Sequence, residues 1–281
     1  MQIRRKPHWL QKKVSLTDHA EMDRLLGSLR LNTVCREASC PNISECFRQK
    51  QATFLIMGKE CTRSCRFCNV SGNTPAAVDP DEPERIAHAV TTLELQHVVI
   101  TSPTRDDLPD GGAGYFAATV AAIRKASPHT VIELLVPDFQ GDLQSLVIVT
   151  TAKPDILAHN IETVPRLYSI RAGADYQRSL GLLKAAKDSA PAIPTKTGIM
   201  LGLGESAEEV LSTLLDIRAT GCDYLSIGQY LAPSRNHYPV AEFIEPAEFD
   251  RYREKAIAIG FAHVESAPYV RSSYHADRYR A

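Results

Sequence analysis

Cys61-Thr-Arg-Ser-Cys65-Arg-Phe-Cys68 is the stretch from which the fold of this chain follows. It comes directly after an apolar run at 52–57 that is rich in strand-forming residues, and Gly58 ends that run. The cysteines therefore lie on a loop at the carboxyl end of a predicted first strand. In parallel α/β folds the functional site lies at that end of the strands.

The CxxxCxxC spacing places three thiols on one short loop, where they can converge on one metal centre. A structural zinc site normally takes four protein ligands. A [4Fe–4S] cluster held by three cysteines instead keeps one iron free for another ligand. The spacing, with the aromatic Phe67 before the last cysteine, favours a cluster over a zinc knuckle or idle thiols.

A second set of three cysteines precedes the first strand. Cys35, Cys40 and Cys46 follow the pattern CxxxxCxxxxxC, with a break at Pro41. A structural zinc site with a fourth ligand elsewhere is one interpretation. Because the chain already carries one predicted iron–sulfur loop, we favour the interpretation that this second set also binds an iron–sulfur cluster.

Composition limits the class of protein. The chain has 281 residues, is 44% hydrophobic and carries a formal net charge of −1. One α/β barrel commonly has this length, and the charge favours neither nucleic acid nor an acidic partner. No apolar run is long enough to cross a membrane, and the N-terminus lacks the apolar core of a secretory signal. We expect a reducing cytoplasm, or an organelle matrix in a eukaryote, where clustered cysteines usually indicate metal binding or catalysis.

Short apolar runs alternate with longer amphipathic segments after the first strand, which predicts βα units and a parallel sheet. Beyond the strand at 52–57, strands are predicted at 97–101, 130–136, 155–159, 197–202 and 223–228, with a short extended piece at 262–265. Helices are predicted at 83–95, 113–126, 142–151, 175–189, 207–220 and 248–259, and before the barrel from Thr17 or Asp18 to 29 and at 43–49. Six such units predict an α/β fold of the incomplete (β/α)6 TIM-like type, open on one side.

We divide the chain into three predicted parts. An N-terminal extension, 1–50, carries the second cysteine set. The partial barrel spans 51–260, and a C-terminal segment, 261–281, follows it.

The spacing at Cys61 resembles the signature of the radical S-adenosylmethionine (SAM) enzymes, in which the open iron chelates the amino and carboxylate groups of SAM. The two cysteine sets in this order, in TVC…SCPNISEC and CTRSCRFCNV, resemble the lipoyl synthase family. The stretches at 6–10 (KPHWL), 171–180, 196–205 and 271–276 agree with it, so the resemblance spans almost the whole chain. One departure is Pro103-Thr104, where the family usually has Val-Asp.

The resemblance implies a radical SAM sulfurtransferase that inserts two sulfur atoms, at C6 and C8, into a protein-bound octanoyl chain. The Cys61 cluster would pass one electron to SAM, and the resulting 5′-deoxyadenosyl radical would take hydrogen from the chain. An auxiliary [4Fe–4S] cluster on the second cysteine set would supply the sulfurs and be consumed. Implied partners are an octanoylated lipoyl carrier domain (2-oxoacid dehydrogenase E2 or glycine cleavage H protein), a ferredoxin or flavodoxin type reductant, and iron–sulfur cluster assembly proteins, with no nucleic acid and no membrane.

Residues at the strand ends are candidates for binding SAM. Asn160 and Glu162 offer an amide and a carboxylate to the ribose, and Arg178 a cation to the SAM carboxylate. His159 alone is more typical of a satisfied core residue. The segment 198–205 resembles the glycine-containing element that packs on adenine. The remaining candidates at the cofactor are Phe67, Thr101, Ser102, Gly198, Met200 and Gly202.

The auxiliary cluster needs a fourth ligand besides its three cysteines. Cys222 starts a predicted buried strand and is interpreted as a core thiol. In the family the serine after Arg271 closes the auxiliary cluster, which implies Ser272 as ligand, with Ser273 as the alternative. Arg271, always charged, would steady the anionic cluster.

Two further features carry weaker predictions. The basic strip of Arg4, Arg5, Lys6, Lys12 and Lys13 is either a solvated tail or a docking site for an acidic carrier. Asp106, Asp107 and Asp110 form a polar turn that is more typical of a solvated loop than of a metal site. Two other functions stay open: a radical SAM sulfurtransferase for a free small molecule, and a non-catalytic zinc-binding module.

Overall fold

The computed structural model describes residues 5–11, 20–38, 40–48 and 51–279. Its helices and strands alternate along most of the chain. In chain order they are α1 (Ala20–Ser28), β1 (Asn32–Thr33), α2 (Val34–Glu37), α3 (Ile43–Arg48), β2 (Thr53–Leu55), α4 (Glu82–Thr92), β3 (His97–Thr101), α5 (Ala113–Ala126), β4 (Val131–Leu135), α6 (Leu143–Thr151), β5 (Ile156–Ala158), α7 (Tyr176–Ser189), β6 (Thr195–Leu201), α8 (Ala207–Ala219), β7 (Tyr224–Gln229), α9 (Pro246–Ile259) and β8 (His263–Ser266).

The eight strands form one sheet in sequential order, β1 to β8. β1 runs antiparallel to β2, and each later strand is parallel to the one before it. Within the described residues β8 pairs with β7 alone among the strands, so the sheet stays open. The predicted incomplete α/β barrel is confirmed. The extended piece predicted at 262–265 is a true strand, β8, which adds a seventh parallel strand to the expected six.

Burial explains why these segments become strands. Every residue of β2, β3 and β7 is buried, as expected of a parallel sheet covered on both faces. Three of the longer helices, α6, α7 and α8, begin at residues whose side chains cap them. Asp142 accepts hydrogen bonds from the first turn of α6, and Ser206 and Glu209 form a capping box on α8.

The N-terminal part differs from the prediction in detail. The short helix α2, which carries Cys35, was not predicted. The first predicted helix is present from Ala20, while Thr17 and Asp18 lie outside the described residues. β1 joins this part of the chain to the barrel sheet. The division into three parts stays a prediction.

The C-terminal segment turns back into the barrel after β8. The Tyr279 ring is buried, and the Nζ of Lys196 lies 3.7 Å from its centre. That ammonium also donates to both carboxylate oxygens of Glu133, each at 3.0 Å. The Tyr279 hydroxyl lies 2.7 Å from Ser226 Oγ. A buried charge pair is stable only when both charges have such partners. Tyr279 is therefore part of the core, and it anchors the C-terminal segment to the barrel.

Candidate active site

A cavity of about 480 Å³ opens at the carboxyl ends of the strands. Both cysteine sets reach it, because Cys68 lines it together with Cys35 and Cys40. Most of the residues predicted to bind a cofactor lie on its wall. They are Phe67, Thr101, Ser102, Asn160, Glu162, Gly198, Met200, Arg271 and Ser272, with Ser273 beside them.

The loop that carries the first cysteine set directs backbone donors at its sulfurs. The N–H groups of Arg63 and Thr104 both lie 3.3 Å from Cys61 Sγ. The N–H of Val70 lies 3.4 Å from Cys68 Sγ. Burial raises the pKa of the Cys68 thiol to about 12, so a bound metal must displace its proton.

Pro103-Thr104 departs from the family pattern, but the contacts of Thr104 to the cysteine loop that follow are made by its backbone. Thr104 reaches Cys61 through its N–H, and its carbonyl accepts from the Thr62 N–H at 3.0 Å. Any residue other than proline at position 104 offers these two groups. The loop therefore keeps its support despite the substitution.

The second cysteine set borders a smaller cavity of about 30 Å³. Cys35, Cys40 and Cys46 all line it, and the C-terminal segment closes it with Arg271, Ser273 and Tyr274 among others. Burial, followed by the neighbouring Cys40, raises the pKa of Cys35 to about 12.

Two hydrogen bonds dock that C-terminal segment onto the second cysteine set. The Asn42 side-chain amide donates to the Tyr269 carbonyl at 2.7 Å, and the Tyr274 hydroxyl donates to Glu45 Oε1 at 2.8 Å. Asn42 and Glu45 both lie between Cys40 and Cys46 in the sequence. The C-terminal segment is therefore a wall of this site.

The two candidate serines face different neighbours. Ser273 lines both cavities. Ser272 lines only the larger one, and its hydroxyl donates to Asn160 Oδ1 at 2.9 Å. Of the two serines, Ser273 is the one that borders the cavity shared by the three cysteines.

A hydrogen-bonded chain continues from Ser272 along the strand ends. Asn160 receives the Ser272 hydroxyl and donates its own amide to Glu162 Oε1 at 3.0 Å. A Cβ on Gly198 would lie 3.0 Å from both Asn160 Oδ1 and Ser272 Oγ. Only glycine leaves room for this close approach.

Glu162 has left-handed backbone angles, with a φ of 69°. Its backbone is held by β6, since its N–H donates to the Gly198 carbonyl and its carbonyl accepts from Met200. Burial raises the pKa of its carboxyl group, and the charge of Arg171 opposes that shift. Glu162 is thus held with its carboxyl group at the cavity wall.

Ser102 supplies an independent sign that the cavity takes a polar ligand. Its Oγ is buried and has no hydrogen-bond partner among the described residues. An unsatisfied hydroxyl of this kind costs about 1–3 kcal/mol. The neighbouring Thr101 is satisfied, because its hydroxyl donates to the Leu135 carbonyl at 2.7 Å.

Two predicted SAM contacts lie away from this cavity. Arg178 Nε donates to Asp138 Oδ2 at 2.9 Å, and neither the larger nor the smaller cavity includes Arg178. Gly202 has a φ of 95°, and a Cβ there would lie 2.2 Å from Gln229 Nε2. The observed contacts give Arg178 a role in an ion pair and Gly202 a role in packing, while their contacts to SAM stay predictions.

Other sequence predictions had mixed outcomes. The polar turn predicted at 106–110 is present and partly exposed; in addition Asp106 and Asp107 pair with arginines, and Asp110 accepts from the Gly112 and Gly114 N–H groups. His159 is a satisfied core residue as expected, with Nδ1 2.9 Å from the Val136 carbonyl oxygen and Nε2 3.1 Å from Ser179 Oγ.

Cys222 is confirmed as a core thiol. Its side chain is fully buried, and burial raises the pKa of the thiol to about 12. All seven cysteines are free of disulfides. The six cysteines of the two sets are therefore all available as thiols.

Sequence reasoning gave no role at the cofactor to two cations near the site. Burial raises the pKa of the Cys65 thiol to about 11, and Arg171 lies close enough for its charge to oppose that shift. Lys6 lines the larger cavity. Both lie in stretches already noted, 171–180 and 6–10, but a motif does not show which of its side chains faces a ligand.

The donor set fits an iron–sulfur cluster better than a single zinc ion. No three His, Cys, Asp or Glu side chains within the described ranges converge closely enough to share one metal ion. A four-iron cluster does not need such convergence, because each cysteine binds a different iron.

Comparison with known proteins agrees with this reading of the donors. A family model described as the Radical SAM superfamily matches residues 55–217. The lipoyl synthase of Geotalea daltonii is 66% identical over 279 residues, which cover 99% of this chain and 95% of that protein. This chain belongs to the lipoyl synthase family. The family member from Caldicellulosiruptor saccharolyticus is 53% identical, over 97% of this chain and 96% of that protein.

Solved structures show the same fold at low sequence identity. The crystal structure of a methylornithine synthase has a TM-score of 0.57 at 15% identity, and the alignment covers 94% of this chain and 85% of that one. Neither the small-molecule alternative nor the zinc module is favoured by these matches. No helix in the described part of the chain is long and apolar enough to span a bilayer.

Proposed function

We propose that this chain is a lipoyl synthase that uses SAM and two [4Fe–4S] clusters to place two sulfur atoms on an octanoyl chain attached to a carrier protein. The observation that carries the proposal is the single cavity reached by both cysteine sets. A substrate in that cavity lies between the site that generates the reactive group and the site that supplies sulfur. Proximity of this kind replaces a diffusional encounter.

Cys61, Cys65 and Cys68 would hold the first cluster, and Cys35, Cys40 and Cys46 the second. The bound cofactors supply the one-electron chemistry needed to attack an unactivated C–H bond, which acid–base groups cannot reach. The chain's own residues bind and orient the reactants. Asn160 and Glu162, on the cavity wall, would hold two hydroxyls of the SAM ribose, and Ser102 would donate or accept one further hydrogen bond.

The rest of the cavity suits an aliphatic chain. Its wall includes the apolar side chains of Val34, Leu55, Val70, Leu135, Ile199, Leu231 and Val270. Apolar surroundings keep water from the reacting carbons. Each methylene group that moves from water into the cavity contributes about 0.8 kcal/mol to binding. Lys6 offers a hydrogen-bond donor at this wall for the amide that joins the chain to its carrier.

We assign the fourth ligand of the auxiliary cluster to Ser273. Ser272, the residue implied by the family pattern, gives its hydroxyl to Asn160, whereas Ser273 borders the cavity of the three cysteines. An oxygen ligand suits iron less well than a thiolate does, so it can leave when the cluster is dismantled. Arg271 borders the same cavity, with its charge close to Cys40.

The proposed partners follow from this chemistry. The substrate is an octanoylated carrier domain of a 2-oxoacid dehydrogenase or of the glycine cleavage system. A ferredoxin or flavodoxin type protein supplies electrons, and cluster assembly proteins restore the consumed cluster.

The deciding experiment is anaerobic reconstitution with iron and sulfide, followed by incubation with SAM, a reductant and an octanoyl-lysine peptide. We expect mass spectrometry to show a peptide that has gained two sulfur atoms. Cleavage of SAM without any gain of sulfur would contradict the proposed function and leave only the radical SAM chemistry.

A further inference from the structure

Arg63 stands between two cysteines of the first set and is held by two carboxylates. Its Nε and Nη2 donate to the two oxygens of Asp106 at 2.7 and 2.9 Å. Its Nη1 and Nη2 donate to the two oxygens of Asp138 at 3.1 and 2.7 Å. The side chains of Arg63 and Asp138 are 7% and 0% exposed. Paired, forked hydrogen bonds of this kind fix the direction of a guanidinium group as well as its position.

Asp138 is itself fixed. Arg178 Nε donates to it at 2.9 Å, and so does the N–H of Gln140 at 3.1 Å. Burial raises the pKa of Asp138, but the hydrogen bonds and charge of Arg63 more than reverse that effect and hold the pKa well below its usual range. Asp138 is therefore a permanent carboxylate at the centre of the network.

The network joins the cysteine loop to three separate parts of the barrel. Asp106 follows β3, Asp138 follows β4, and Arg178 lies in the first turn of α7. Removal of one partner from a buried ionic network leaves an uncompensated charge, so the loop cannot move away from these elements at low cost.

Close backbone packing supports the same placement. A Cβ on Gly173, whose φ is 72°, would lie 3.2 Å from Arg63 Cδ. The Arg66 N–H donates to the Ile170 carbonyl at 2.8 Å. The loop has no regular helix or strand between Cys61 and Cys68, so these outside contacts decide where its thiols point.

We propose that Arg63 is a positioning residue, which preforms the loop from Cys61 to Cys68 so that its three thiols are correctly spaced before any cluster is bound. Arg63 acts through Asp106 and Asp138 and does not touch SAM or substrate. The inference rests on the proposed function only in assuming that the loop holds an iron–sulfur cluster.

The test compares Arg63→Lys with a control. Lysine keeps the charge but loses the fork that binds both carboxylates. The control is Arg166→Lys, because Arg166 also makes a forked pair, with Glu209 at 2.7 and 2.9 Å, and is more than half exposed. Two quantities are measured: amide hydrogen exchange at residues 61–70 of the cluster-free chain, and the rate at which the reconstituted chain loses iron to a chelator.

We expect Arg63→Lys to speed both exchange in the loop and iron loss from the first site by about tenfold, which corresponds to about 1.4 kcal/mol. Arg166→Lys should leave both rates close to those of the unchanged chain. Unchanged rates in Arg63→Lys would overturn the proposal. Faster exchange with unchanged iron loss would also overturn it, because the loop would then be ordered by Arg63 without any benefit to the cluster.

Asp106→Asn covers the case in which Arg63→Lys fails to fold. It weakens one of the two forks and leaves the buried Asp138 in place, and we expect a smaller rise in the same two rates. No rise in either rate, with the melting temperature unchanged, would overturn the proposal. Neither measurement needs product, so a chain that binds iron at this loop but makes no lipoyl group would contradict the proposed function and not the role of Arg63.

Discussion

The first cysteine site is one continuous loop, whereas the second is completed by a segment that lies more than 220 residues further along the chain. Cys61, Cys65 and Cys68 fall within eight consecutive residues. Around Cys35, Cys40 and Cys46 the wall is completed by the C-terminal segment, docked by the Asn42–Tyr269 bond across 227 positions.

The difference shows what each site depends on. Ion pairs from the barrel support the first loop, so this site is present whenever the barrel is folded. The second site is complete only when the C-terminal segment is docked. The first site therefore depends on the barrel alone, and the second depends also on the C-terminal segment.

The largest effect should come from removing one site at a time. Replacing Cys61, Cys65 and Cys68 together by Ala should leave about half of the iron, because each site holds its own cluster, and should abolish SAM cleavage. Replacing Cys35, Cys40 and Cys46 should also leave about half of the iron, but SAM cleavage should persist while product is lost. Iron analysis and detection of 5′-deoxyadenosine check both outcomes. Product from the second triple variant would remove the sulfur-donor assignment.

The two adjacent serines test the boundary between the sites. Ser273→Ala should lower lipoyl product by about 100-fold with little change in SAM cleavage, because a cluster ligand is lost. Ser273→Cys should bind the second cluster more tightly and stall turnover, since a thiolate resists release.

Ser272→Ala should instead weaken SAM binding by about twofold to tenfold, because Asn160 loses the hydrogen bond that orients it. Equilibrium binding of SAM and counting of iron per chain separate the two serines. If product loss follows Ser272 and not Ser273, the ligand moves back by one residue, as the family pattern implies.

Tyr279 tests how far the second site relies on docking of the chain end. Tyr279→Leu removes the ring that covers Lys196 and should lower the free energy of unfolding by about 2–3 kcal/mol. Tyr279→Phe keeps the ring and loses the hydroxyl contacts to Ser226 and to the Leu225 carbonyl, at a cost of about 1 kcal/mol. Denaturant unfolding measures both changes. In Tyr279→Leu we expect iron to be lost faster from the second site than from the first. Equal loss from both sites would contradict the dependence of the second site on the docked C-terminal segment.

The basic strip should give the smallest effect. Arg4, Lys12 and Lys13 lie outside the described residues, while Arg5 and Lys6 are exposed. Neutralising the strip should lower activity on an intact carrier about twofold to fivefold, with a loss that shrinks at high salt, since exposed charges contribute little and are screened.

A short octanoyl peptide is the control for docking, because it cannot contact the strip beyond the cavity. Lys6→Ala alone should affect peptide and carrier alike, since Lys6 lines the cavity. The deciding variant therefore neutralises the other four residues of the strip and keeps Lys6. Equal effects of that variant on peptide and carrier would rule out docking.

Local sequence patterns were enough to predict most of the helices and strands and the grouping of the cysteines into two sets. The alternation of strands and helices follows from local patterns of apolar residues, which depend on neighbours within one or two turns. β3 and α5 therefore begin and end where they were predicted. The spacing of each cysteine set also lies within one short segment, so it could be interpreted without a fold.

Which side chains surround these sites depends on contacts between distant parts of the chain. The partners of Arg63 lie 43 and 75 positions away, and no local pattern indicates them. Arg178, on the helix after a strand end, is predicted to bind SAM from its charge alone; that its guanidinium also pairs with Asp138, 40 positions before it, is visible only in the folded chain. Ser272 and Ser273 are equivalent in sequence. They differ because they occupy successive positions of the turn closed by the Tyr274 N–H and the Arg271 carbonyl, so that Ser272 donates to Asn160 while Ser273 borders the cavity of the three cysteines.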